Sequence, residues 1–87
     1  MTKQRQIRIK YTNKEIKQVA AELGHTLTNY RTFNDQLIFT DGKNFISHDI
    51  DQHNGGFWKV AKSVKKLNSK DKRYGTFSRD LKTRIGG

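Results

Sequence analysis

At Gly24 the apolar pattern of this chain passes from a helical period to a period of two, and that change limits the fold to a mixture of helix and antiparallel sheet. Upstream of it, Thr12-Asn13-Lys14-Glu15 is a capping box, a threonine followed three residues later by a glutamate. Ile16, Val19, Ala20 and Leu23 come next at i, i+3, i+4 and i+7, the spacing of one helix face. Gly24 stands where a left-handed C-terminal cap belongs. The pattern predicts an amphipathic helix from Asn13 to Leu23 whose stripe is structural and carries no chemistry.

From His25 the period becomes two. Leu27, Tyr30 and Phe33 suggest one strand with an irregularity near its end, and Leu37-Ile38-Phe39-Thr40 suggests another. Asp41-Gly42 is a two-residue hairpin signal, which makes Asn44 to Asp51 the return strand. Ile7, Ile9 and Tyr11 also alternate, as in a short strand or an extended lead-in. Asn54-Gly55-Gly56 breaks the return strand. After it, Phe57, Val60, Ala61, Val64 and Leu67 recur at helical spacing, with Lys59, Lys62, Lys65 and Lys66 mostly on the other faces. A second helix from Phe57 to Leu67 is expected there. A polar loop, Asn68 to Lys72, leads to Tyr74, Phe77, Leu81 and Ile85, which suit one or two closing strands with a bulge or turn at Gly75. The class is α+β: a small twisted antiparallel β-sheet with an N-terminal helix and a second helix after the acidic strand. Residues 11–87 make one domain, and residues 1–10 are a lead-in strand or the cut edge of a longer chain.

Composition narrows the function. With 87 residues and 32% hydrophobic content the core is modest, but five Phe, three Tyr and one Trp supply large pieces for it. The absence of cysteine excludes disulfides and thiolate metal sites. No apolar run reaches the roughly 18–20 residues of a membrane helix, and no apolar segment of a signal peptide follows Met1. Net charge is +10, with +4 in residues 1–48 and +6 in residues 49–87. Charge of this density favours polyanions, because each neutralised phosphate releases counterions.

Against that background Asp49, Asp51 and His53 stand out. In an extended strand these alternate positions share one face, with Ile50 on the other. Paired carboxylates repel, so one holds its proton more tightly, and a histidine titrates near neutral pH. Together they can supply a base and an acid. RNA carries its own nucleophile, the 2′-hydroxyl, so cleavage needs a base for that hydroxyl, an acid for the leaving 5′-oxygen, and cations for the charged phosphorane. His53 and Asp51 fit the acid/base pair, Asp49 the group that tunes the histidine, and Lys59 the electrostatic stabiliser. Trp58, Lys62, Arg73, Thr76 and Ser78 are candidate substrate contacts.

The same residues admit plainer roles. Aspartate before a glycine-rich break is ordinary turn chemistry, His53-Asn54 can cap the following helix, and Trp58 can be core. His25 and His48 have no partner in the sequence pattern. A hydrolytic metal on the three side chains is a further reading. It needs a bend, because strand positions four apart are about 13 Å from each other. Cleavage without a metal or other cofactor fits the straight row better.

The run Asp49-Ile50-Asp51-Gln52-His53-Asn54-Gly55-Gly56-Phe57-Trp58-Lys59 resembles the bacterial toxin 21 ("novel toxin 21") family. The likeness extends upstream through Tyr11-Thr12-Asn13-Lys14-Glu15 and Gly24, and downstream through Gly75-Thr76-Phe77 and Arg84-Ile85-Gly86. The family is a C-terminal toxin domain of contact-dependent growth inhibition effectors and related polymorphic toxins. The resemblance implies a ribonuclease carried on a secreted or cell-surface effector and acting in the cytoplasm of a competing bacterium. The implied substrate is small-subunit 16S ribosomal RNA near the decoding site, and the implied partner is a cognate immunity protein of acidic character. It also implies catalytic roles for Asp49, Asp51, His53 and Lys59, and a monomer when the immunity protein is absent. Transfer-RNA cleavage, a metal-dependent DNase and a non-catalytic nucleic-acid-binding module are the alternatives.

Overall fold

A computed structural model describes residues 10–50 and 55–86. The predicted helix is present as α1, Asn13–Glu22, with both halves of the capping box formed between Thr12 and Glu15. Gly24 has φ +78°, the left-handed cap its position called for. Beyond it run β1 (Thr26–Arg31), β2 (Leu37–Thr40), β3 (Phe45–His48) and β4 (Trp58–Ala61). These are followed by the short α2 (Val64–Leu67), a 3-10 turn (Lys70–Lys72), β5 (Gly75–Phe77) and β6 (Arg84–Gly86). All six strands pair antiparallel in chain order, so the sheet is a meander.

The sheet is covered on both faces. On one, Ile16, Val19 and Ala20 of α1 pack on Leu37, Phe39, Ile46, Trp58 and Val60. On the other, Leu67 packs on Ile38 and Ala61, with Val64 and Phe45 at the margin. Register explains the division: Phe39 faces Ile46 and Ile46 faces Val60, while Ile38 faces Ser47 and Ser47 faces Lys59. A strand buried on both faces reads as a continuous apolar run.

That burial corrects the expected helix from Phe57 to Leu67. The first part is the central strand β4, and only Val64–Leu67 is helical, capped by the Ser63 side chain accepting from Lys66 N–H. Apolar residues at 57, 60, 61, 64 and 67 fit a helix as well as a doubly buried strand followed by one helical turn. Ser63, an N-cap residue inside the run, marks where the strand gives way to the helix. The irregularity in the first strand falls between Leu27 and Arg31, where β1 shifts register against β2. Tyr30, Phe33 and Tyr74 lie exposed and are not core pieces. The lead-in at Ile7 and Ile9 lies outside the described residues, but Tyr11 packs edge-on against His48 and Phe57.

Candidate functional site

Residues 32–36 between β1 and β2 and the chain after β3 lie at one end of the sheet, and the segment from α2 to β5 reaches them along the α2 face. The first is tied by Thr32, whose backbone N–H donates to the Gln36 carbonyl and whose Oγ1 accepts from Gln36 N–H. Asp35 there has φ +67° and an ion pair to Arg31 at 3.3 Å. The segment after α2 is fixed to the first connection by Phe33 N–H, which donates to Asn68 Oδ1 at 2.9 Å.

Between these connections, on the α2 face, lies a cleft of about 200 Å³. Ser47 and Lys59, cross-strand partners on β3 and β4, line it together with Asn68, Arg73 and Phe33. Lysine and arginine reach this cleft, and among the described residues no carboxylate lines it. A concave site lined by cations favours an anion. Thr76 is the partner of Lys59 on β5, so Ser47, Lys59 and Thr76 form a row across three strands.

Asp49 is 3% exposed and follows Ser47 where β3 ends. Its N–H donates to the Phe57 carbonyl at 2.8 Å, which extends the β3–β4 ladder one step. Alternation then sets Asp49 on the Ser47 side, while Ile50 joins His48 in a second cleft of about 360 Å³ beside α1. The return strand therefore ends at His48 in regular pairing, earlier than Asp51. Asp51 and His53, the other two members of the predicted row, lie outside the described residues.

His48, unassigned from sequence, is buried at this junction. Its Nδ1–H donates to the Phe57 carbonyl at 2.9 Å. Burial holds its pKa below the ordinary 6.5; the Phe57 carbonyl and Asp49 oppose that shift, and Lys59 adds to it. Asp49 and Lys59 thus both act on one imidazole, with opposite effect. His25, also buried, lies elsewhere, with Nδ1 3.0 Å from the Leu23 carbonyl and Nε2 3.9 Å from Asp41.

The candidate substrate contacts separate. Lys59 and Arg73 share the cleft, with Thr76 beside Lys59. Trp58 is 0% exposed, packs against Phe39 and Phe57, and donates its indole N–H to the Arg79 carbonyl at 2.9 Å. It is core and offers no face to a base. Lys62 is exposed past the opposite end of β4 and lines none of the three clefts described. Ser78 bonds Asp80 at 2.6 Å and lines a different cleft with Val19, Leu23 and Arg79. Sequence reasoning missed Ser47, Phe33 and Asn68, because nothing in a one-dimensional pattern brings residues 33, 47 and 68 together. Among the described residues no group of three His, Cys, Asp or Glu side chains is arranged to hold a metal ion. No helix among them is long and apolar enough to cross a membrane.

Comparison with known proteins gives this arrangement a relative. The chain is 48% identical over 46 residues to the 16S rRNA endonuclease CdiA of Enterobacter cloacae subsp. cloacae. That match takes in 53% of this chain and 1% of the length of that much larger relative. The fold is similar to a solved chain of the CdiA-CT/CdiI toxin and immunity complex from Enterobacter cloacae. There the identity is 36% and the TM-score 0.60, over 88% of this chain and all of that one. Residues 18–87 match the sequence profile of the novel toxin 21 family, and the chain belongs to that family.

Proposed function

We propose that this domain is an endoribonuclease toxin that cuts small-subunit 16S ribosomal RNA near the decoding site and so stops translation in a competing bacterium. The observation that carries the reading is a cleft beside the paired ends of β3 and β4 that holds Lys59 and Arg73 and, among the described residues, no carboxylate. It is supported by the likeness to a relative named as a 16S rRNA endonuclease.

The chemistry uses the substrate's own nucleophile. A base, His53 or Asp51, removes the 2′-hydroxyl proton, and the alkoxide attacks the adjoining phosphorus. The bond to the 5′-oxygen breaks, and the acid of the pair protonates that oxygen. The products are a 2′,3′-cyclic phosphate and a 5′-hydroxyl. Lys59 stabilises the dianionic phosphorane, and its place on the floor of a partly buried cleft strengthens that effect over the same charge in water. Asp49 tunes the histidine, and Arg73 and Thr76 hold flanking phosphate. No metal or other cofactor has a part in these steps.

The domain is the C-terminal part of a secreted or cell-surface effector and acts in the cytoplasm of the target cell. It is a monomer when free, and its partner is a cognate immunity protein. The solved relative is a toxin and immunity complex, and a +10 domain is complemented by an acidic inhibitor.

Expression of the domain in cells without an immunity protein, with new RNA ends mapped, tests the reading. Ends in 16S ribosomal RNA bearing cyclic phosphate are expected, and neither Asp51→Ala nor His53→Ala should produce them while RNA binding persists. Cuts confined to transfer RNA or DNA, or cleavage by both variants at the wild-type rate, would refute it.

A further inference from the structure

The cleft holds a polar group that the proposed chemistry leaves unused. Ser47 is 1% exposed, and its Oγ has no hydrogen-bond partner among the described residues. An unpaired buried hydroxyl costs stability, so it calls for an explanation. Its surroundings supply one. Ser47 stands on the cleft floor opposite Lys59, and Arg73 lines the same cavity with one Nη1–H donating to the Leu67 carbonyl at 3.3 Å. The guanidinium keeps further donors for another group. The cavity is far larger than the about 10–15 Å³ that one water requires.

At the lip stands Phe33, 90% exposed, in the connection between β1 and β2. Asn68 fixes it by accepting from the Phe33 backbone N–H at 2.9 Å. The aromatic ring is therefore presented by a braced backbone. Exposed aromatics beside cationic grooves are stacking platforms for unpaired bases.

We infer that this cleft is a nucleotide subsite for single-stranded RNA, flanking the cleaved bond. Ser47 Oγ–H donates to a phosphate oxygen already held by Arg73, and the Phe33 ring stacks on the base attached to it. Asn68 is a positioning residue that aims Phe33. The inference rests on the ribonuclease reading for its place beside a scissile bond, but the binding itself can be measured without cleavage.

The test is binding of a fully 2′-O-methylated single-stranded RNA, which lacks the free 2′-hydroxyl and stays intact. Phe33→Ala is expected to weaken binding about tenfold or more, and Phe33→Trp to retain it. Ser47→Ala is expected to weaken binding about tenfold or more while its thermal midpoint stays level or rises, because an unpaired hydroxyl is removed. Asn68→Ala should weaken binding less than Phe33→Ala and leave the Phe33→Ala variant unchanged when combined with it. Wild-type affinity in Phe33→Ala and Ser47→Ala, or no binding of this RNA by the wild type, would overturn the subsite. If the wild type bound the RNA through these residues yet failed to cut unmodified RNA, the subsite would stand and the ribonuclease reading would fall.

Discussion

His48 donates Nδ1–H to the Phe57 carbonyl at 2.9 Å and joins the two strands on either side of the 49–56 connection. The same carbonyl accepts the Asp49 N–H at 2.8 Å, so one oxygen fastens both the last strand residue and the first loop residue. Tyr11, Phe57 and Trp58 close around the imidazole. His48, Asp49 and Phe57, on either side of the segment carrying Asp51 and His53, are thus tied through a buried group that titrates.

That tie makes stability depend on pH. Burial holds the His48 pKa below its ordinary 6.5, so the unfolded chain binds a proton that the folded chain refuses. The contribution is complete above about pH 6.5 and is lost as the pH falls from there to the lowered folded value. Glu15, Asp41 and Asp80 are also shifted down, from 4.5 for the glutamate and 3.8 for the aspartates, and act in a more acidic window. Urea midpoints measured between pH 7.5 and 5.5 should fall with pH in the wild type and stay flatter in His48→Gln. Parallel slopes in both proteins would refute the assignment.

Thr12→Ala should destabilise the domain by about 1 kcal/mol. Thr12 Oγ1 accepts from Glu15 N–H at 3.2 Å, and the Glu15 carboxylate accepts from Thr12 N–H at 2.8 Å. The variant removes the Oγ1 half of the box and frees the Glu15 N–H; the residue-12 backbone N–H, the larger cause of the lowered Glu15 pKa, still donates to the carboxylate, so that pKa rises only by the lost side-chain bond. Thr12→Ser should keep most of the stability. Chemical denaturation and a titration of Glu15 followed by NMR check the two parts together.

Gly75→Ala should cost about 1–3 kcal/mol. Gly75 has φ +132°, a conformation that other residues rarely adopt. An added Cβ would also collide with the Gly86 carbonyl oxygen and lie 2.7 Å from Arg84 Nε. That Nε–H donates to the Tyr74 carbonyl at 2.9 Å, so the collision pushes on the link between β5 and β6. Hydrogen exchange should speed up first in β6, the edge strand. A midpoint within error of wild type would show that the edge yields freely.

Elements whose pattern had one solution were legible in the sequence. α1 needed only its capping box, stripe and Gly24, and the hairpin of β2 and β3 followed from Asp41-Gly42. β4 was not legible, because a central strand buried on both faces loses the alternation that marks a strand. Helical spacing sets Lys59 on a solvated helix face, whereas on β4 it stands half-buried on the cleft floor. The acidic row was visible as spacing, but Ser47 and Phe33 were not, since an unpaired hydroxyl or a braced exposed ring exists only once the strands have paired.

Lys59→Ala separates transition-state stabilisation from simple phosphate binding. If Lys59 meets the charge that develops on the phosphorane, its loss lowers kcat about 100- to 1,000-fold with little change in KM. If it only holds a ground-state phosphate, KM rises and kcat is kept. Its place between Ser47 and Thr76 on a rigid central strand fixes the ammonium better than a loop would. We therefore expect the kcat effect in single-turnover cleavage of a ribosomal RNA fragment. Lys59→Arg should recover part of the rate, and Thr76→Val should change it much less. A pure KM effect would assign Lys59 to binding and leave the phosphorane to another cation of the cleft, for which Arg73 is the nearest candidate.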